Sequence, residues 1–144
     1  MFMIFIVLSC QRHDEDIFIE VVIWPGGGGE RNTPIYYFVV TNNGTLISYA
    51  GFSRSGIDHP RRHNFLRSVQ ERTEVVLSEE DFQYISELVS VIVSGESEGE
   101  FWTNSRVVLL YNGNIYENST VWTYPETFNL VVLIIELTPF PVGL

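Results

Sequence analysis

Two Asn-Gly pairs set between β-rich runs constrain this chain more than anything else in it. Residues 34–41 (Pro-Ile-Tyr-Tyr-Phe-Val-Val-Thr) lead into Asn42-Asn43-Gly44 and then 45–50 (Thr-Leu-Ile-Ser-Tyr-Ala). Residues 106–111 (Arg-Val-Val-Leu-Leu-Tyr) lead into Asn112-Gly113 and then 114–117 (Asn-Ile-Tyr-Glu). Asn-Gly tolerates positive φ at both central positions of a type I′ turn, whose twist matches that of the flanking strands. Each segment therefore predicts an antiparallel hairpin closed by that turn.

A helix is predicted behind each hairpin. Ser78 is placed to cap the first, and Glu79, Glu80 and Asp81 put negative charge at its positive dipole end. Phe82, Ile85, Leu88, Val89 and Ile92 recur at helical spacing, and Gly95 can close it. Behind the second hairpin, Pro125 and Glu126 open a run through Leu130–Ile135 that stops before Pro139, which also reads as a helix. A leading strand covers residues 17–24, and 73–77 adds a short strand before the first helix. The expectation is an α+β domain over 17–144, a β-(ββα)-(ββα) pseudo-repeat. Its antiparallel sheet has about five to six strands, and both helices pack on one face.

The strands around Tyr36, Val107–Leu110 and Tyr116 are apolar on both sides of the pleat, whereas a half-exposed sheet alternates. Either the N-terminal strand region and the long loop cover the second face, the favoured reading, or it is an aromatic partner face carrying Tyr36, Tyr49 and Tyr116.

Charge narrows the function classes. The net charge is −10, all eight basic residues are arginine, and no lysine occurs. General nucleic-acid binding is disfavoured, and chemistry that needs a lysine is excluded. Residues 51–74 nevertheless carry a net +2 and the remainder −12. A basic loop with Arg54, Arg61, Arg62 and Arg67 is thus expected to project from an acidic body. It is a candidate site for an anion or a partner, because guanidinium groups grip carboxylate and phosphate through paired hydrogen bonds.

Catalytic motifs are thin. Gly51-Phe52-Ser53-Arg54-Ser55 approaches a nucleophile elbow but has Ser55 where the last glycine belongs, and reads as a hairpin exit loop. His59 and His63 share a spacing suited to one metal, but Arg61 and Arg62 between them repel cations and no further ligands stand out. No metal or cofactor is assigned. Gly26–Gly29 lacks the Gly-Lys-Ser/Thr ending of a phosphate loop and reads as a flexible connection.

Nine residues, Met-Phe-Met-Ile-Phe-Ile-Val-Leu-Ser, precede Cys10, the only cysteine, and Gln-Arg-His-Asp-Glu-Asp follows. The apolar run is far short of the roughly 20 residues of a spanning helix. It suits the ~7–15-residue core of a signal peptide. The junction resembles the lipobox of bacterial lipoproteins, with the small Ser9 before Cys10 and Val7 where that family usually carries Leu. Asp14, Glu15 and Asp16 are similar to the acidic export tag of Bacteroidota surface lipoproteins, interrupted here by Arg12 and His13. The resemblance implies removal of residues 1–9, lipidation at Cys10, a tether over 10–16 and attachment to the outer membrane of a cell envelope. The alternative is a cytoplasmic protein in which 1–9 form a buried strand and Cys10 is a core thiol.

Three function classes follow from these readings. The first is an envelope-anchored, non-catalytic binding module for an unidentified protein or anionic ligand. The second is a small acidic immunity or inhibitor protein steered by its charge to a basic partner enzyme. The third is an enzyme, whose only acid/base candidates are Asp58, His59 and His63.

Overall fold

The computed structural model describes residues 16–25, 33–53, 66–95, 101–102, 105–118, 122–123 and 125–143. Six strands build one antiparallel sheet: β1 (Ile17–Trp24), β2 (Ile35–Thr41), β3 (Thr45–Ser53), β4 (Leu66–Val76), β6 (Arg106–Tyr111) and β7 (Asn114–Asn118). Their spatial order is β4-β3-β2-β1-β6-β7. Two-residue strands β5 (Phe101–Trp102) and β8 (Trp122–Thr123) pair separately. Helices α1 (Glu79–Ser94) and α2 (Pro125–Leu137) complete the α+β architecture.

β1 lies at the centre, between β2 and β6, which explains its nearly unbroken apolar sequence. Its register shift between Ile17 and Ile19 turns Phe18 toward the helices. There Phe18 meets Phe82 of α1 at 5.5 Å and the edge of Tyr111 at 5.8 Å between ring centroids.

Both helices cover one face. Ile85, Leu88 and Val89 of α1 and Leu130, Val131 and Ile134 of α2 join Ile19, Val21, Ile23, Phe38, Val40, Leu46 and Leu109 in one core. The Ser78 side chain accepts a hydrogen bond from the Asp81 amide at 3.1 Å, and Gly95 adopts φ 70°, a left-handed C-terminal cap. At the end of α2 the Thr138 amide turns to the Ile135 carbonyl. Its hydroxyl donates to the Ile134 carbonyl at 2.7 Å and lies 2.9 Å from Ser48 of β3. This buried polar pair ties β3 to the end of α2.

The two hairpins close differently. Asn112 (φ 48°) and Gly113 (φ 75°) form the expected two-residue type I′ turn, with Tyr111 opposite Asn114. In the first hairpin Asn43 does not take positive φ, contrary to expectation. β2 ends at Thr41 and β3 begins at Thr45, which leaves three loop residues; the Gly44 amide donates to the Thr41 carbonyl, and Gly44 alone is left-handed (φ 81°). The added Asn42 converts the two-residue turn into a three-residue one with glycine at the bulge.

The two halves are also unequal. The expected short strand at 73–77 is the end of β4, an 11-residue edge strand that begins at Leu66. Gly51–Ser53, expected in a loop, are the last residues of β3. Gly51 lies where the β3–β4 register shifts, and a Cβ there would sit 2.1 Å from the Ser68 carbonyl oxygen. Only glycine admits so close an approach of the β4 backbone.

Strand directions sort the connections. Asp16, residues 42–44, residues 77–78 and Asn112-Gly113 lie at one end of the sheet. There the Asp16 carbonyl accepts from the Asn42 amide and the Gly44 carbonyl from the Leu77 amide, both at 2.8 Å. Trp24, Ile35, Ser53, Leu66, Arg106 and Asn118 mark the other end.

Candidate functional site

The second face of the sheet is buried without either helix. Val22, Trp24, Ile35, Tyr37, Val39, Tyr49, Val108 and Leu110 form its core, flanked by the half-buried Ile17, Ile47, Leu66 and Ile115. The aromatic side chains of this face, Trp24, Tyr37 and Tyr49, are themselves buried. The tyrosines predicted to share one face do not. Tyr36 is buried under the helices, its hydroxyl accepting from the Gly143 amide at 3.0 Å, and Tyr116 packs half-buried against the same core. Tyr49 is buried on the opposite face. The period-2 alternation of strands separates residues that composition alone groups together.

Of the candidate arginines, Arg67 is described, and it is exposed on β4 rather than in a loop. Cys10, Arg54, Arg61 and Arg62 lie outside the described residues, as do His59 and His63.

Register brings together a row that motif reading missed. Val22 of β1 opposes Tyr37 of β2, Tyr37 opposes Tyr49 of β3, and Tyr49 opposes Arg72 of β4. Glu20, one pleat along β1 from Val22, is diagonal to Tyr37 and accepts a hydrogen bond from its hydroxyl. The Tyr37 and Tyr49 rings stack at 5.6 Å. The Arg72 guanidinium lies 5.7 Å from the Tyr49 ring centroid and 3.2 Å from a Glu74 carboxylate oxygen.

The electrostatics follow from those contacts. A side-chain hydrogen bond with Tyr49 holds the Arg72 guanidinium above its ordinary pKa, partly opposed by burial and assisted by Glu74. Arg72 thus stays cationic at any physiological pH. A half-buried carboxylate beside an apolar cluster needs a donor, and the Tyr37 hydroxyl supplies it to Glu20.

A second arginine is held in a similar way. Arg106 directly opposes Trp24 across β1 and β6, its guanidinium 4.7 Å from the indole centroid. Trp24 closes an apolar strand and Arg106 opens one, at the same end of the sheet. That placement is visible in sequence, but the pairing of β1 with β6 that gives it meaning is not.

This arrangement orients cations against aromatic rings and holds carboxylates by hydrogen bonds. Among the described residues no three His, Cys, Asp or Glu side chains gather to hold a metal ion, and no helix is long and apolar enough to cross a membrane. Neither a protein-family model nor a curated protein matches the chain.

Proposed function

We propose that the chain is a non-catalytic binding module of a bacterial cell envelope, lipid-anchored at Cys10 and tethered through residues 10–16. The observation that carries this reading is the abrupt change at Cys10 from an apolar run to an acidic one. The fold is consistent with the division. The sheet opens at Ile17, and Asp16 is already tied to the turn at Asn42, so the stretch read as tether ends where the domain starts.

Topology supports a polarity for such a module. The anchor would meet the domain at the Asp16 end. The connections after Trp24, Ser53 and Asn118 leave the sheet at the far end, beside Trp24 and Arg106. Binding residues concentrate on loops set by a rigid scaffold. Arg54, Arg61 and Arg62 belong to the connection between β3 and β4, which makes the far end the proposed place for a protein or anionic partner.

Metabolic labelling with a fatty acid tests the anchor. The wild-type chain is expected to incorporate label and to fractionate with the outer membrane, and Cys10→Ala to lose both. Equal labelling of the two would reject the proposal.

A further inference from the structure

The outer edge of β4 carries a self-complementary pattern. Among the described strands β4 pairs only with β3, so none of them takes up the other row of its backbone groups. The Leu77 amide donates to the Gly44 carbonyl, and an antiparallel ladder repeats its bonds at every second pair. The amides of Val75 and Thr73 therefore also serve β3, while those of Arg72, Glu74 and Val76 point outward. The strand is regular in this stretch, because both register shifts against β3 lie toward Leu66, at or before Glu71. It is also open: the Arg72 and Glu74 side chains are 51% and 53% exposed, and Val76 is 80% exposed.

Charges on an edge strand ordinarily discourage pairing. Here their order favours one occupant, a second copy of the chain. Two identical strands joined antiparallel about a two-fold axis normal to the sheet keep their faces, so the position of the axis fixes every pair. An axis at Arg72 sets guanidinium against guanidinium, and one at Glu74 sets carboxylate against carboxylate. With the axis at Thr73, each Arg72 opposes Glu74 of the second copy and each Glu71 opposes Val75. Thr73 then opposes itself in the closer, non-hydrogen-bonded position, a favourable pair of identical β-branched residues. The outward amides of Arg72 and Glu74 meet as hydrogen-bonded pairs in that same register.

We propose that β4 is a self-pairing edge: two copies join antiparallel across an axis at Thr73, Arg72 of each facing Glu74 of the other. Each Arg72 already lies 3.2 Å from its own Glu74, so pairing closes a ring of four alternating charges. Counted over the described residues, the joined sheet has twelve strands with four helices on one side. The two Asp16 ends point in opposite directions. This inference does not depend on the lipid anchor.

The test is sedimentation velocity on the full chain carrying Cys10→Ala, so that a disulfide between copies cannot imitate the interface. Over micromolar to about millimolar concentration, a reversible monomer–dimer equilibrium is expected that weakens as salt screens the charges. Arg72→Glu and Glu74→Arg are each expected to weaken it by about tenfold or more, since each sets like charges face to face. Mixing those two variants, or combining both changes in one chain, restores opposite pairs and is expected to restore the dimer. The mixing arm also shows that each variant is folded. A monomer throughout would overturn the proposal. So would a dimer indifferent to either reversal, a failure of the mixture to dimerise, or a β4 edge that binds an extended segment of another protein but not its own copy.

Discussion

The hydroxyl pair between β3 and the end of α2 makes a directional prediction. Thr138 donates its one hydroxyl proton to the Ile134 carbonyl at 2.7 Å, so in the 2.9 Å contact Ser48 must be the donor and Thr138 the acceptor. Ser48→Ala removes that donor and leaves the Thr138–Ile134 bond intact, so it costs about 1 kcal/mol, the net value of one hydrogen bond. Thr138→Val conserves shape but strands the fully buried Ser48 hydroxyl. It also orphans the Ile134 carbonyl, because the Thr138 amide is engaged with Ile135. Two unmet groups put its cost at about 2–3 kcal/mol. In the double variant no Ser48 donor remains to be stranded, so its cost falls short of the sum by about 1 kcal/mol. Urea unfolding followed by the fluorescence of buried Trp24 measures all three variants, and in thermal scans each kcal/mol moves Tm by about 2–4 °C. If Ser48→Ala proves the more damaging single change, or if the two changes add, the assigned direction of the bond is wrong.

Other substitutions test separate parts of the fold. Gly51→Ala drives a Cβ into the Ser68 carbonyl and is expected to cost about 2–4 kcal/mol or to unpair β3 from β4, read by amide exchange at those strands. Thr73 Oγ1 is buried with no hydrogen-bond partner, so Thr73→Val is expected to stabilise the chain by up to about 1 kcal/mol in urea unfolding. Ser78→Ala removes the α1 cap and should cost about 1 kcal/mol, visible as a lower urea midpoint with unchanged slope. Arg106→Gln removes the cation over Trp24, with an expected loss of about 0.5–2 kcal/mol and a change in tryptophan emission of the folded state.

Particular residues show what could be read from sequence. Ser78, the acidic first turn of α1 and Gly95 specify a helix by local chemistry, and the structure has its ends there. Asn112-Gly113 likewise specifies its turn locally. The first hairpin diverged because one added residue, Asn42, changes the turn class without changing the composition. β4 was legible only at its end, for a physical reason. An exposed edge strand has little to bury, and two register shifts within it break the alternation by which strands are recognised. The row from Glu20 to Arg72 was beyond reach because it depends on the register of four strands at once. One slipped residue would send Tyr37 or Tyr49 to the other face.

The central position of β1 has a mechanical consequence. A pull on the chain ahead of Ile17, directed along the strand, loads the ladders with β2 and β6 together, because β1 is held on both edges. The hydrogen bonds of those ladders run across the pulling direction and must shear as a group, where an edge strand peeled sideways would part them one at a time. A domain held from its N-terminal side is thus gripped by a strand that is paired along both edges. Single-molecule stretching should show a high unfolding force when the load enters at residue 16, and a lower one when it enters across β4.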